Sequence, residues 1–176
     1  IKRRIMMILL VIGEMTGSAG LKPEAVTPSC ADGTFTPSFF RNTCFYEARM
    51  SVELFTLPVS PGYAVPVRWF HAHGSNGAAI VLMPALGIPA RYYDPLATAL
   101  QAAGTSVLVM EQRGHGDSSL RPSRSVDFGY REVLDEDIPA LLAWLDQHQP
   151  GQPVVLMGHS LGGHYASMTA GRSPER

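Results

Sequence analysis

The sequence predicts an α/β fold, a mostly parallel central sheet flanked by helices. Three observations carry that prediction. Short continuous apolar runs, Ala78 to Met83 and Ser106 to Met110, have the pattern of strands buried on both faces. Stretches with helical spacing alternate with them, as when helices cover a parallel sheet on both sides. A third apolar run, Pro153 to Met157, ends in Gly158-His159-Ser160-Leu161-Gly162 and passes directly into a short helical stretch, Gly163 to Ala170.

From Met50 onward the elements follow in order. Ser51 to Val59 mixes β-branched and aromatic residues and ends at the turn signal Pro61-Gly62. Ala64 to His73 reads as a second strand, with Val65, Val67 and Trp69 alternating against Pro66, Arg68 and Phe70. Gly74-Ser75-Asn76-Gly77 reads as a hairpin turn. The buried strand Ala78 to Met83 then exits into Pro84-Ala85-Leu86-Gly87-Ile88-Pro89. Asp94 is expected to cap a helix that has Pro95 at its first position, Leu96 and Leu100 in its core stripe, and Gly104 as its stop. The strand Ser106 to Met110 leads to Glu111-Gln112-Arg113-Gly114-His115-Gly116-Asp117-Ser118, and residues 119–128 read as a polar loop. Tyr130, Val133, Leu134, Ile138, Leu141, Leu142 and Leu145 then space out a helix that Pro139 should kink or divide. Pro150-Gly151 ends it.

The chain has 176 residues, 45% hydrophobic and 16% charged, with a formal net charge of -1. That suffices for one apolar core and gives no electrostatic reason to expect nucleic acid. No segment reaches the ~20 apolar residues of a membrane span. Both cysteines, Cys30 and Cys44, and both lysines, Lys2 and Lys22, precede Met50. Residues 1–49 are therefore expected to lie outside the folded unit formed by residues 50–176. Lys2-Arg3-Arg4 followed by Ile5 to Gly13 has the pattern of a secretory signal with a cleavage site near Gly17-Ser18-Ala19. On that reading the protein is secreted or periplasmic, and Cys30 and Cys44 are able to pair. The alternative starts a cytoplasmic protein at Met50 and is preferred, because Met50-Ser51-Val52-Glu53 runs straight into a strand pattern.

The chemistry points to Ser160. A serine hydroxyl is a poor nucleophile and needs exposure, a base and a site for the developing oxyanion. A turn between strand and helix exposes it, and glycine two residues before and two after leaves room for a strained backbone. The helix that follows aims its free N–H groups and positive dipole end at the same place. Other candidates have plainer readings. His71 and His73 lie two apart on a strand and would make two metal ligands, but no third is suggested nearby, so no metal or cofactor is expected. His115, His159 and His164 read as packing or loop-stabilising residues, Arg113 as shaping its loop, and Asp117, Asp135 and Asp137 as loop, cap or solvated helix residues.

Taken together, the loop Met83 to Ile88, the loop Arg113-Gly114-His115-Gly116-Asp117-Ser118 and the stretch Gly158-His159-Ser160-Leu161-Gly162-Gly163 resemble the α/β-hydrolase superfamily. The closest flavour is its esterase, monoacylglycerol-lipase and serine-aminopeptidase-like group, and the resemblance runs from about Ser51 to Arg172. It implies that Ser160 forms an acyl-enzyme with a small-molecule ester, thioester or amide. It implies that the backbone N–H of Leu161 is one oxyanion donor and that of Leu86 the other, within a residue either way, since Pro84-Ala85 stands where many relatives have His-Gly. It further implies a triad acid and histidine on later strands, so the chain is expected to be the N-terminal part of such a domain, weakly active or inactive alone. The competing expectation is a non-catalytic interaction or assembly module that leaves the edge of the Ser160 strand unpaired. Serine at this position argues against the dehalogenase and epoxide-hydrolase branches, which use aspartate there. The sequence leaves the oligomeric state open.

Overall fold

The computed structural model describes residues 5–10, 51–73 and 77–172. Its sheet contains β1 (Ile5–Leu10), β2 (Val52–Ser60), β3 (Tyr63–Phe70), β4 (Ala79–Met83), β5 (Ser106–Met110) and β6 (Val154–His159), in the order β1-β6-β4-β5-β3-β2. β1, β6, β4 and β5 run parallel, and β3 and β2 are antiparallel additions at the far side. β4 and β5 are buried along their whole length, as the apolar runs Ala79–Met83 and Val107–Met110 require.

Period-two alternation divides the core between the two faces. On one face Val65, Val67, Trp69, Val81, Leu108 and Leu156 meet Ile138, Leu141 and Leu145. On the other, Phe70, Ile80, Leu82, Val107 and Val155 meet Ala90, Tyr93 and Ala97. Each fully buried leucine contributes roughly 1.5–3 kcal/mol. The helices are a 3₁₀ turn (Ala90–Tyr93), α1 (Asp94–Ala102), α2 (Tyr130–Glu132), a π-helical turn (Val133–Asp137), α3 (Ile138–His148) and α4 (Leu161–Arg172). This is the predicted sheet flanked by helices.

The structure departs from the sequence reading in four places. The segment after β3 is not a hairpin turn, because β3 pairs with β5 while β4 lies between β5 and β6; residues 74–76 themselves lie outside the described residues. β3 ends at Phe70, short of His73. Asp94 does not cap α1, since the preceding 3₁₀ turn already runs into the helix. Its carboxylate instead receives Arg68 Nε at 2.7 Å and a second guanidinium nitrogen at 2.5 Å. Pro139 stands in the first turn of α3, directly after the π-helical turn, so it divides the helix, one of the two outcomes expected of it. Ile138 N–H reaches back five residues to the Val133 carbonyl, which accommodates a ring that would crowd the preceding turn. Finally, Ile5–Leu10 pairs in parallel with β6, from Ile5 opposite Val154 to Leu10 opposite His159, so the edge of the Ser160 strand is not left unpaired. The remaining expectations for residues 1–49, the signal-like cleavage site and the Cys30–Cys44 pairing among them, fall outside the described residues.

Candidate active site

β6 delivers the chain to Ser160, the non-glycine residue with positive φ (51°) among the described residues. A side chain in the left-handed region costs roughly 1–2 kcal/mol, and here the surroundings enforce it. Gly163 N–H and His164 N–H both donate to the Ser160 carbonyl, at 2.8 and 3.3 Å. A Cβ on Gly158 would lie 2.2 Å from the backbone of Gly162, so strand and helix approach too closely for any side chain there. Ser160 is exposed, and its hydroxyl has no hydrogen-bond partner among the described residues. The helix begins at Leu161, two residues earlier than the sequence suggests, and the Leu161 N–H is one of those with no acceptor inside the helix.

The loop leaving β4 lies against this turn. Ile88 N–H donates to the Ala85 carbonyl at 3.2 Å, with Gly87 at φ 79° as the third residue of the turn. Ala85 N–H donates to the Tyr93 hydroxyl at 3.0 Å. Leu86 is 67% exposed, and its N–H has no hydrogen-bond partner among the described residues. The amide of Ala85 is thus occupied and that of Leu86 is open. Gln112, buried, donates through Nε2 to the Pro84 carbonyl and anchors the start of the loop.

Glu111 anchors the loop's other end. Its buried carboxylate accepts Ala90 N–H at 3.1 and 3.2 Å and Asp117 N–H at 3.3 Å. Burial raises its pKa from the ordinary carboxylate value, with the two N–H groups opposing. A raised folded-state pKa means that the native state holds more protons than the unfolded one through that window. Glu111's contribution is complete below the ordinary value and is lost as pH rises through the raised one. Urea titrations should therefore show wild type losing stability relative to Glu111→Gln as pH rises above the ordinary glutamate value of about 4.3. A pH-independent difference would refute this.

Arg113 follows Gln112 in the loop after β5. It reaches Asp137 at 2.7 to 3.2 Å and Glu136 at 2.6 Å, and its guanidinium lies 4.6 Å from the Tyr63 ring centroid. Asp137 is completely buried, which corrects its reading as a loop, cap or solvated residue. Asp135 is exposed and pairs with Arg172 at 2.5 Å.

The histidines are engaged elsewhere. His115 Nδ1 lies 2.9 Å from the Arg113 carbonyl, His164 Nδ1 3.1 Å from the Tyr130 hydroxyl, and His159 Nδ1 2.9 Å from the Tyr93 hydroxyl. None meets the Ser160 hydroxyl. His71 and His73 have ring centroids 4.4 Å apart, and no group of three or more metal-ligating residues occurs among the described residues. Sequence reasoning missed Tyr93, Gln112 and Glu111. Tyr93 was hidden in an apolar helix start, and the other two beside the more conspicuous Arg113-Gly114-His115-Gly116.

Residues 74–176 match the family described as "Serine aminopeptidase, S33". The chain belongs to that hydrolase family. Human monoglyceride lipase is 30% identical over 107 residues, covering 61% of this chain and 34% of the lipase. The mouse sn-1-specific diacylglycerol lipase ABHD11 is 35% identical over 98 residues, covering 55% and 29% respectively. The chain thus spans about a third of the length of these curated relatives. An α/β hydrolase of Novosphingobium aromaticivorans superposes with TM-score 0.58 at 28% identity, over 72% of this chain and 41% of that one. An esterase of Pyrococcus furiosus superposes with TM-score 0.58 at 19% identity, over 89% and 55%, which supports the fold alone. The S33 assignment and these structures place the chain in the α/β-hydrolase superfamily. No described helix is long and apolar enough to cross a membrane.

Proposed function

We propose that Ser160 is the nucleophile of a serine hydrolase that cleaves a small-molecule ester, thioester or amide through an acyl-enzyme. One observation supports this above the others: the exposed Ser160 hydroxyl sits on a strained turn, and the backbone N–H groups of Leu161, which follows it, and of Leu86, in the β4 exit loop, have no acceptor among the described residues. Attack by Ser160 Oγ on the carbonyl carbon places negative charge on the carbonyl oxygen, which these two N–H groups would receive. Collapse expels the leaving group with a proton, and water then releases the acyl group. Loss of one such donor costs roughly 10²–10³ in rate. The engagement of Ala85 N–H by Tyr93 supports Leu86 as the second donor.

The proton on Ser160 needs a base within about 3 Å. His115, His159 and His164 are engaged elsewhere, and the relatives extend well beyond the third of their length matched here. The base and its acid are therefore assigned to that further length, and this chain alone is expected to be weakly active or inactive. The names of the lipase relatives favour an ester among the three substrate classes. A fluorophosphonate probe tests the assignment, applied to both this chain and the longest product of its gene. In the longer protein, mass spectrometry should find the adduct on the peptide containing Ser160, and Ser160→Ala should abolish it without changing the melting temperature. Labelling that survives Ser160→Ala, or a folded longer protein that never labels, would overturn the assignment.

A further inference from the structure

Two hydrogen bonds meet on one buried hydroxyl. Tyr93 is 2% exposed, and its OH accepts Ala85 N–H at 3.0 Å and lies 2.9 Å from His159 Nδ1. Ala85 immediately precedes Leu86, and His159 immediately precedes Ser160. We infer that Tyr93 is a positioning residue that ties the Ser160 turn to the loop carrying Leu86, so that nucleophile and second oxyanion donor keep a fixed separation. The inference rests on the reading of Ser160 and Leu86 given above.

The donor count is self-consistent. The hydroxyl oxygen accepts from the Ala85 amide, its proton goes to Nδ1, and His159 is then the tautomer carrying hydrogen on Nε2. The bridge also has rigid supports. Tyr93 stands at the end of the 3₁₀ turn, whose first residue, Ala90, is held by Glu111. Its ring packs in the core face formed by Ile80, Leu82 and Val155. The loop between Ala85 and Ala90 is therefore fixed at both ends, while Leu86 and Gly87 in its middle are exposed. Without the hydroxyl, the Ala85 amide loses its acceptor and is free to turn, and the Leu86 amide turns with it. Removing His159 Nδ1 severs the same bridge from the other side. Placement errors of about an ångström cost on the order of 10²-fold in such sites.

The test uses Tyr93→Phe, which keeps the buried ring and deletes only the hydroxyl, together with His159→Leu and His159→Asn. Asparagine presents an oxygen near the position of Nδ1. Two readouts are needed: amide hydrogen exchange at Ala85, which requires no catalysis, and the rate of fluorophosphonate labelling at Ser160 in the longer protein. Tyr93→Phe should speed Ala85 exchange at least tenfold, leave Val81 and Leu82 in β4 unchanged, and slow labelling about tenfold or more. His159→Leu should slow labelling similarly, and His159→Asn should restore most of it. Unchanged exchange at Ala85 in Tyr93→Phe overturns the inference, as does faster exchange with unaltered labelling. Should the wild-type longer protein never label, the reading of Ser160 fails separately, and unchanged or faster Ala85 exchange still decides whether the bridge exists.

Discussion

Replacing Gly162 with alanine should cost more than about 4 kcal/mol, a loss reserved for a few named mechanisms and enough to unfold a marginal domain. A Cβ at Gly162 would stand 2.0 Å from the Met83 carbonyl oxygen, 2.6 Å from its carbon and 2.7 Å from the Pro84 oxygen. Ordinary contact begins near 3.4 Å, and every atom in the way is backbone. No rotamer change relieves the clash. Either α4 lifts from β4, or the β4 exit loop moves and takes Leu86 with it. Gly171→Ala is the control. It lies in the same helix with nothing within 4 Å of its added Cβ, and alanine there should be neutral or stabilising by up to about 1 kcal/mol. Urea midpoints for the two variants check this pair. A Gly162→Ala protein as stable as Gly171→Ala would show that the packing of α4 on β4 is looser than described.

Asp137→Ala should cost about 3–5 kcal/mol, the usual penalty for stranding one member of a buried ion pair. Of its two carboxylate partners among the described residues Arg113 then keeps Glu136, whose side chain is 36% exposed, while its own side chain is 6% exposed. Burial alone would lower the Arg113 pKa, but the Asp137 and Glu136 carboxylates outweigh it and hold the guanidinium charged. Burial pushes the Asp137 carboxyl up against the pull of Arg113, so each charge is tolerable only beside the other. A double variant, Arg113→Met with Asp137→Leu, should recover most of the loss, because replacing both partners with apolar groups of similar volume is often neutral. The non-additivity in a double-mutant cycle is the quantity to measure. Additive losses would mean the pair is not coupled.

The sheet was legible because parallel strands announce themselves. Ala79–Met83 is apolar at every position and Ser106–Met110 at every position after its serine, a pattern that burial on both faces demands. The strained turn at Ser160 was legible because the glycines on either side of it have a steric cause that leaves a sequence trace. What stayed hidden depended on partners far along the chain. Asp137 lies on a helix whose neighbouring carboxylates face water, and its guanidinium partner is 24 residues earlier. Asp94 stands before a proline like a cap, yet Arg68, from a strand 26 residues back, takes its carboxylate. The glycine-rich stretch after β3 has the composition of a hairpin, but a crossover has the same local composition, and only the β3–β5 register tells them apart. Tyr93 gave no signal, because a hydroxyl aimed at a backbone amide looks like one more aromatic in a core.

The strand order also governs how the molecule is born. β4 is the middle of the parallel sheet, and one of its two neighbours, β6, pairs Val154 with Ala79, 154 − 79 = 75 residues later. At a synthesis rate of about 5–20 residues per second, that partner reaches the growing chain about 4–15 seconds after β4 does. During that interval an apolar strand with an open edge is already outside the ribosome. Non-local parallel pairing is also slow to close once both strands are present. The β4 edge therefore stays open until the Ser160 strand arrives to cover it.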